Sequence, residues 1–312
     1  MKAALIQQQY RGSKKSTVAA TVSAVAEAAA AGAELVLLQE LHQSEYFCQC
    51  EDTKYFDYAA SFEGDIAFWS GVAKEHGVVL VTSLFEERAP GLYHNTAVIF
   101  EKDGSVAGRY RKMHIPDDPG YYEKFYFTPG DMGFEPVDTS VGRLGVLVCW
   151  DQWYPEAARI MALKGAEVLI YPTAIGYLEC PTDRRDELCE KENTEAERRK
   201  MREAWIAVQR GHAVANGLPV LAVNRVGVEK DPSGVLGGIR FWGHSFAFGP
   251  QGEPLAMAGG EEEEILLVDL DMEAGAEVRK IWPFLRDRRI ESYRCLLERY
   301  CDGSGRPPLK GS

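Results

Sequence analysis

An internal repeat governs which folds are open to this chain. The phrase Gly-Ala-Glu stands directly before an apolar strand sequence twice, at residues 32–34 before the run 35–38 and at residues 165–167 before the run 168–171. Helical patterns precede each phrase and follow each strand. These predicted helices span about 16–31, 65–76, 155–164 and 202–216. The two halves of the chain therefore share one order of elements.

Further strands complete each half in the same order. Each half opens with an apolar strand, at 2–6 or 144–148, and ends in a hairpin that turns at Asp103-Gly104 or at Gln251-Gly252. The remaining predicted strands are 78–81, 96–100, 106–110, 219–223, 246–248 and 254–256. Alternating strands and helices followed by a hairpin, twice, predict two sheets packed on each other with helices outside.

We therefore expect an α/β fold, a four-layer α-β-β-α sandwich with an internal pseudo-two-fold repeat. The alternative is two generic α/β halves whose similarity arises by chance, since a repeated three-residue phrase is weak evidence. With 312 residues, 46% of them hydrophobic, the chain can bury one large core, and no Gly/Ser/Pro-rich break separates the halves. We expect one domain over 1–280 and a C-terminal extension, 281–312, that packs on the domain or on a neighbouring subunit. The charged segment 180–203 is interpreted as a solvated helical insertion without chemistry.

Composition excludes several classes of protein. The net charge of −12 argues against binding to nucleic acid or to an anionic membrane. No apolar run approaches the roughly 18 residues of a membrane span, and the opening strand runs at once into three glutamines, so a signal-peptide core is absent. The seven cysteines lack framework spacing and are interpreted as reduced thiols, which predicts a cytoplasmic protein.

Nucleotide and metal motifs are also missing. The sequence has no Walker loop, no GxGxxG after a strand, no CxxC pair and no His-Glu-x-x-His, and its six histidines are isolated. We therefore expect no metal and no cofactor.

Polar residues at strand ends are the candidates for chemistry, because α/β folds place functional groups there. Glu40 follows the strand 35–38, and Cys149 takes the corresponding place in the second half, shortly before a helix that begins at Pro155. A thiol between a strand and a helix can project from a sharp turn, near backbone N–H groups that would bind an oxyanion. Taken alone, Cys149 is more typical of a small core residue, and Glu40 of a surface carboxylate.

A third candidate, Lys112, follows the first hairpin and on its own is typical of a solvated surface lysine. Together Glu40, Lys112 and Cys149 make a chemical set. A thiol near its free pKa is mostly protonated at pH 7, so it needs a base such as a carboxylate. A nearby cation favours the thiolate and stabilises the oxyanion of a tetrahedral intermediate.

Four phrases in this order resemble the nitrilase superfamily of carbon–nitrogen hydrolases, over nearly the whole chain. The phrases are Leu-Leu-Gln-Glu at 37–40, Arg-Lys-Met-His at 111–114, Phe-Thr-Pro-Gly-Asp at 127–131 and Val-Cys-Trp-Asp at 148–151. The resemblance implies the α-β-β-α sandwich, a homo-oligomer, and catalytic roles for Glu40, Lys112 and Cys149. It also places a second family glutamate on Glu123, which on the residues alone is interpreted as an exposed loop acid.

Within the superfamily the chain resembles the N-carbamoylputrescine amidase family. The phrases that carry this likeness lie at 115–121, 123–127, 149–157, 171–176, 222–227 and 284–289. Two features depart from that pattern: the charged insertion after Gly176 is longer, and Asp118 stands where relatives often carry glycine. The rim of the pocket and the assembly are therefore open.

The resemblance implies hydrolysis of N-carbamoylputrescine to putrescine, ammonia and carbon dioxide, a step of polyamine biosynthesis from arginine via agmatine. Glu40 would accept the proton of Cys149, whose sulfur attacks the ureido carbon. Lys112 and the backbone N–H of Trp150 would hold the oxyanion, and Glu123 would position Lys112 and the substrate's N–H.

The far end of that substrate is an ammonium, which needs a carboxylate or carbonyl partner when it is buried. Asp117 is the first candidate, assisted by Tyr121 and Trp153. An ordinary turn at 117–120 explains the same residues equally well.

Three rival functions stay open. The first is hydrolysis of another N-carbamoyl amino acid or amide, which would favour an arginine in the pocket. The others are a non-catalytic oligomeric scaffold and redox sensing at Cys149 with Cys180 or Cys48.

Overall fold

The computed structural model describes residues 1–180, 190–191 and 193–301. The strands are β1 Lys2–Gln7, β2 Leu35–Leu38, β3 Val79–Ala89, β4 Leu92–Phe100, β5 Val106–Arg111, β6 Val137–Thr139, β7 Gly142–Val146, β8 Val168–Pro172, β9 Gly176–Glu179, β10 Val220–Val223, β11 Val226–Glu229, β12 Gly238–Trp242, β13 Phe246–Phe248, β14 Pro254–Met257 and β15 Glu264–Asp269. The α-helices are α1 Lys14–Ala30, α2 Phe62–His76, α3 Glu123–Tyr126, α4 Pro155–Leu163, α5 Glu195–Asn216 and α6 Ala274–Ile281. Turns of 3-10 helix cover Phe47–Gln49, Thr53–Ser61, Cys149–Trp153, Ile290–Ser292 and Arg294–Leu297.

Local sequence explains where the helices begin and end. The Ser13 side chain accepts the N–H of Ser16 and caps α1, and Thr194 caps α5 in the same way. Gly77 and Gly217 end α2 and α5 in the left-handed conformation that glycine adopts without strain. Helix α5 begins at Glu195, so it absorbs part of the segment predicted as a separate insertion. Residues 181–189 and 192 of that segment lie outside the described residues.

The predicted pseudo-two-fold repeat is confirmed by the strand order. One sheet runs β15-β1-β2-β3-β4-β5 and the other β6-β7-β8-β10-β13-β14. Each has an antiparallel edge strand, then three parallel strands, then two antiparallel strands. Strands β1 to β5 therefore correspond in order to β7, β8, β10, β13 and β14.

The repeated Gly-Ala-Glu phrase has the same structural role in both halves. Gly32 and Gly165 have φ values of 88° and 89° and turn the chain from a helix into the second parallel strand. The N–H of the following glutamate bonds the first strand of each sheet, Glu34 to the carbonyl of Lys2 and Glu167 to that of Arg143, both at 2.8 Å. The similarity of the halves is therefore structural, and chance does not explain it.

Packing gives the four layers. Alternate residues of β1 face opposite sides: Ala3 and Leu5 join a core that both sheets share, and Ala4 and Ile6 pack under α1 and α2. Helices α4 and α5 cover the outer face of the second sheet through side chains such as Met161 and Trp205. The α-β-β-α sandwich is confirmed.

Four features of the sequence prediction are wrong or incomplete. Cys149 follows β7, which corresponds to β1, whereas Glu40 follows β2, so the two residues do not occupy corresponding places. Strand β3 is longer than predicted and forms a hairpin with β4. A small third sheet, β11-β12-β9, was not predicted. Cys180 is disulfide-bonded, so the cysteines are not all reduced thiols, because spacing along the chain does not show which thiols meet in the fold.

Candidate active site

Glu40 lies where the two halves of the sandwich meet. It follows β2, and its N–H donates to the carbonyl of Thr173, just beyond β8, at 3.3 Å. The carboxylate is fully buried. Its Oε1 accepts Asn95 Nδ2 at 2.7 Å, whereas its buried Oε2 has no hydrogen-bond partner. One carboxylate oxygen is thus fixed, and the other can accept a proton.

Lys112 is buried between two carboxylates, so it is not a solvated surface lysine. It follows β5 directly, and its N–H donates to the carbonyl of Asn95 at 2.9 Å. Its Nζ donates to Glu40 Oε1 at 2.8 Å and to Glu123 Oε2 at 2.6 Å. An ammonium has three N–H groups, and these two bonds use two of them. The third can serve a substrate oxygen.

Glu123 opens α3 and has no exposed surface, which contradicts the interpretation of this residue as a loop acid. Its Oε1 accepts the hydroxyl of Tyr46 at 2.6 Å. Burial raises the pKa of Glu123 to about 7; the Lys112 ammonium opposes this rise and the charge of Glu40 adds to it. Two acids and one lysine therefore form a single buried cluster.

Cys149 begins the 3-10 turn between β7 and α4, and its φ of 44° is a left-handed conformation that is strained for any residue except glycine. The predicted sharp turn before the Pro155 helix is present. Burial raises the pKa of the Cys149 thiol well above its usual value, the charge of Glu40 adds to the rise, and Lys112 lowers it. The sulfur therefore needs a base before it can attack.

Asp151 fixes this turn through hydrogen bonds. Its carboxylate accepts the N–H of Val148 at 3.0 Å, the hydroxyl of Tyr110 at 2.8 Å and the N–H of His114 at 3.0 Å. The His114 ring also bonds it at 2.7 Å. The residue before the thiol is thereby tied to the segment that follows Lys112.

A cavity of about 480 Å³ opens over the thiol. Cys149 and Trp150 line it, together with the aromatic rings of Trp153, Tyr177 and Trp242. Among the described lining residues, Asp118 carries the one formal charge. An apolar cavity with one carboxylate suits a substrate that has an apolar middle and a cationic end.

The predicted binding residues fall on this cavity with one exception. Trp150, Tyr121 and Trp153 line it, and the Tyr121 hydroxyl accepts the N–H of Gly176 at 2.8 Å. Asp117 and Asp118 are both exposed, but Asp118 lines the cavity and Asp117 does not. Of the two aspartates, Asp118 is therefore the one placed to contact a molecule in this cavity.

Sequence reasoning missed the residues that hold the cluster in place. Asn95 lies inside β4, where the polar run His94-Asn95-Thr96 in a buried strand was the available signal. Asn224 follows β10 and bonds both the N–H and the carbonyl of Ile175 on the cavity wall. Tyr46 lies in a loop without a pattern and gave no signal.

Neither a metal site nor a membrane span is present among the described residues. No group of three His, Cys, Asp or Glu side chains there has the arrangement of a metal site, and no helix in that part of the chain is long and apolar enough to cross a membrane.

Comparison with known proteins identifies the family. The family model for carbon–nitrogen hydrolases matches residues 2–280. The chain therefore belongs to the carbon–nitrogen hydrolase family, the nitrilase superfamily, and is an enzyme. The alternative of a non-catalytic scaffold is set aside.

Individual relatives cover most of the chain. An N-carbamoylputrescine amidase from Solanum tuberosum is 44% identical over 89% of this chain and 87% of its own. A citrullinase from Francisella tularensis is 37% identical over 96% and 99%. The crystal structure of a carbon–nitrogen hydrolase from Helicobacter pylori G27 is 57% identical, with a TM-score of 0.91 over 96% of this chain and 99% of that one. An amidase from Nesterenkonia sp. AN1, 26% identical with a TM-score of 0.72 over 94% and 98%, carries acrylamide added to its active-site cysteine.

Proposed function

We propose that this enzyme hydrolyses N-carbamoylputrescine to putrescine, ammonia and carbon dioxide, a reaction of polyamine biosynthesis. One observation carries the proposal: the charges of the buried Glu40–Lys112–Glu123 cluster act on the Cys149 thiol, and this thiol lines an aromatic cavity whose described lining holds a single carboxylate. The amidase relatives at 42–44% identity support the same reaction.

The chemistry divides into two halves. The free Oε2 of Glu40 accepts the thiol proton as the Cys149 sulfur attacks the ureido carbon, and the C–O π electrons move onto the oxygen. The third N–H of Lys112 and the backbone N–H of Trp150 stabilise that oxyanion. When the oxyanion collapses, the C–N bond breaks and Glu40 returns the proton to the departing ammonia.

Water completes the reaction. Glu40 now takes a proton from a water molecule, whose oxygen attacks the thioester carbon and releases the sulfur. The thiol regains its proton, and the carbamic acid so formed loses carbon dioxide to give putrescine. Glu123, whose Oε2 lies 2.6 Å from Lys112 Nζ, holds the ammonium and positions the substrate's N–H. The sum consumes one water and produces one molecule each of putrescine, ammonia and carbon dioxide.

Asp118 is the proposed partner of the substrate's ammonium end. It lines the cavity, and the rings of Trp153 and Trp242 on the same cavity suit a cation by their negative faces. The ureido group then lies at the thiol and the four-carbon chain along the apolar wall.

Citrulline is the second candidate, because it carries the same ureido group with a carboxylate added at the amine end. The Francisella tularensis relative is a citrullinase. A neighbouring cavity of about 460 Å³ shares Tyr177 and Trp242 with the thiol cavity, and its described lining holds four arginines, Arg202 and Arg240 among them, and three glutamates. Those guanidinium groups suit a carboxylate.

The test is ammonia release from N-carbamoylputrescine, citrulline and N-carbamoyl-β-alanine at equal concentrations, with Cys149→Ala as the blank. We expect the highest kcat/KM for N-carbamoylputrescine. Preference for citrulline would support the arginine-lined cavity instead, and release from none of the three would refute the proposed reaction.

Two adjacent aspartates provide a matched pair for the amine site. Asp118→Asn is expected to raise KM for N-carbamoylputrescine about 10- to 100-fold, the usual value of a charge-assisted hydrogen bond, with kcat nearly unchanged. Asp117→Asn should leave both constants within about twofold. The reverse pattern would return the role to Asp117.

A further inference from the structure

Arg225 is a fully buried arginine that the proposed mechanism does not use. It lies between β10 and β11, with 1% of its surface exposed. Its guanidinium donates to three carbonyls of the segment that carries Glu40: Nε to Glu40 at 3.2 Å, and Nη2 to Leu41 and to Ser44, the latter at 3.0 Å. One side chain thus holds the loop directly after β2.

The backbone of that loop is strained at Leu41. Leu41 has a φ of 47°, a left-handed conformation that a leucine adopts only under constraint from its surroundings. Its N–H donates to Ser83 Oγ at 3.1 Å, and its carbonyl accepts a hydrogen bond from the Arg225 guanidinium. The turn that directly follows Glu40 is therefore fixed through both the N–H and the carbonyl of Leu41.

The same guanidinium is linked to the second acid through Glu229 and Tyr46. Arg225 Nη1 donates to Glu229 Oε1 at 2.7 Å. The other oxygen of Glu229 accepts the N–H of Tyr46 at 2.6 Å, and the Tyr46 hydroxyl donates to Glu123 at 2.6 Å. A continuous chain of buried hydrogen bonds therefore runs from the Glu40 loop to Glu123.

We propose that Arg225 and Glu229 form a positioning pair that sets the two carboxylates of the active site at their distances from Lys112 and Cys149. The pair comes from the second half of the sandwich and acts on loops of the first half. The inference rests on the proposed function for the roles of Glu40 and Glu123, but its geometry does not depend on the identity of the substrate.

The energetics of a buried ion pair favour a positioning role for Arg225 and Glu229 over a stabilising one. Removing two charges from water costs nearly as much as their attraction returns, so a buried ion pair is an inefficient stabiliser compared with apolar side chains. Such a pair is well suited to fixing geometry, because a planar guanidinium bonds several acceptors in set directions. Here four acceptors, three carbonyls and one carboxylate, surround Arg225.

The test compares Arg225→Lys and Glu229→Gln with Glu86→Gln. Glu86 is a suitable control because it is buried and paired with Arg111 at 2.6 Å on the first sheet, and it makes no bond to Glu40 or Glu123. Three measurements are made: the kinetics with N-carbamoylputrescine, which give kcat and KM, the rate of Cys149 alkylation by iodoacetamide between pH 6 and pH 10, and the melting temperature. Alkylation needs no substrate, so it reports on the site even where the proposed reaction fails in the wild type.

For the two variants of the pair we expect kcat to fall about 10- to 100-fold, the usual effect of small misplacements of reacting groups, with KM within about twofold and a shifted alkylation pH profile. All three variants should have a lower melting temperature, but Glu86→Gln should leave kcat and the alkylation profile unchanged. Equal kcat losses in all three variants, or wild-type kcat and alkylation in the pair variants, would overturn the proposal.

A milder variant decides the matter where the pair variants do not fold. Tyr46→Phe removes only the hydroxyl that donates to Glu123. It should fold, keep KM and shift the alkylation profile, because Glu123 loses a donor that lowers its pKa. An alkylation profile and kcat identical to those of the wild type would show that the chain of bonds does not act on the site.

Discussion

The three buried charges of the site depend on one another. Lys112 lies between Glu40 and Glu123 with no exposed side-chain surface on any of the three. Such a cluster carries one excess negative charge in a medium that solvates it poorly. The raised pKa of Glu123, about 7, is the consequence, because protonation of this acid removes the excess.

Removal of the ammonium should abolish most of the turnover. Lys112→Ala is expected to lower kcat for N-carbamoylputrescine by about 10²- to 10³-fold, the usual effect of losing one oxyanion donor. The variant should stay folded, because Glu123 can protonate in place of the lost ion pair. Lys124→Ala, an exposed lysine on α3, is the control. Circular dichroism checks the fold, and a variant with more than half of the wild-type kcat would contradict the role of Lys112.

The pH dependence of stability tests the state of Glu123. Folding raises the pKa of this carboxyl from 4.5, the ordinary value of a glutamate, to about 7. Between these values the folded chain binds more protons than the unfolded chain, so this group's contribution to stability is lost as pH rises through that window. The melting temperature of the Glu123→Gln variant should therefore show a gain over that of the wild type, and this gain should grow as the pH rises from 5 to 8. Glu87→Gln, an exposed acid on β3, should show no such gain; an equal gain there would refute the assignment.

The reacting groups were predictable from the sequence, but the residues that hold them in position were not. Glu40, Lys112 and Cys149 carry rare chemistry at strand ends, and the family resemblance adds Glu123. Asn95, Tyr46 and Arg225 act through hydrogen bonds between segments far apart in sequence, for instance the 185 residues between Glu40 and Arg225. Periodicity and spacing contain no information on such contacts.

At the scale of elements, the turn between β7 and α4 is the most constrained. Its first residue, Cys149, has a left-handed backbone conformation. A single carboxylate, that of Asp151, accepts hydrogen bonds both from the turn and from the segment after β5. The strand, the turn and the Pro155 helix were visible in the sequence, since an apolar run, a small residue and a proline mark them. The anchor was not, because an aspartate two residues after a cysteine has many ordinary explanations.

Loss of this anchor should loosen the nucleophile. Asp151→Asn replaces one acceptor oxygen by a donor and is expected to lower the free energy of unfolding by about 1–3 kcal/mol for each N–H or O–H left without an acceptor. Alkylation of Cys149 should also change in rate. Asp138→Asn on β6, an exposed position, is the control. Urea denaturation gives the first quantity, and an unfolding free energy equal to that of the wild type would contradict the anchoring role.

At the scale of the whole molecule, the repeat explains why the site lies where it does. The carboxyl ends of the parallel strands β2 and β8 meet, as the bond from Glu40 to Thr173 shows, so each half contributes loops to one cavity. The paired halves were predictable from the repeated phrase. The third sheet was not, because β9, β11 and β12 have no counterpart in the first half.

The C-terminal extension, 281–312, is proposed to pack on a neighbouring subunit of a homo-oligomer. Its described part exposes apolar side chains, with Ile290 at 68%, Leu296 at 64% and Leu297 at 90%, an arrangement that usually marks a contact surface. Light scattering on the full chain should give a mass above the 34.7 kDa of one subunit. Truncation after Asp287 should lower that mass, and Leu297→Glu should do so partly. A monomeric full chain would refute the assembly.

The covalent state of Cys149 during turnover decides whether this thiol is the nucleophile. The enzyme is mixed with N-carbamoylputrescine, quenched in acid within the first turnover, digested and analysed by mass spectrometry. We predict a thioester adduct on the peptide that contains Cys149. Its mass is that of the alkylcarbamoyl group where ammonia leaves first, and that of a bare carbamoyl group where putrescine leaves first. Ammonia release with no adduct on this peptide, or undiminished release by Cys149→Ala, would contradict attack of this thiol on the ureido carbon.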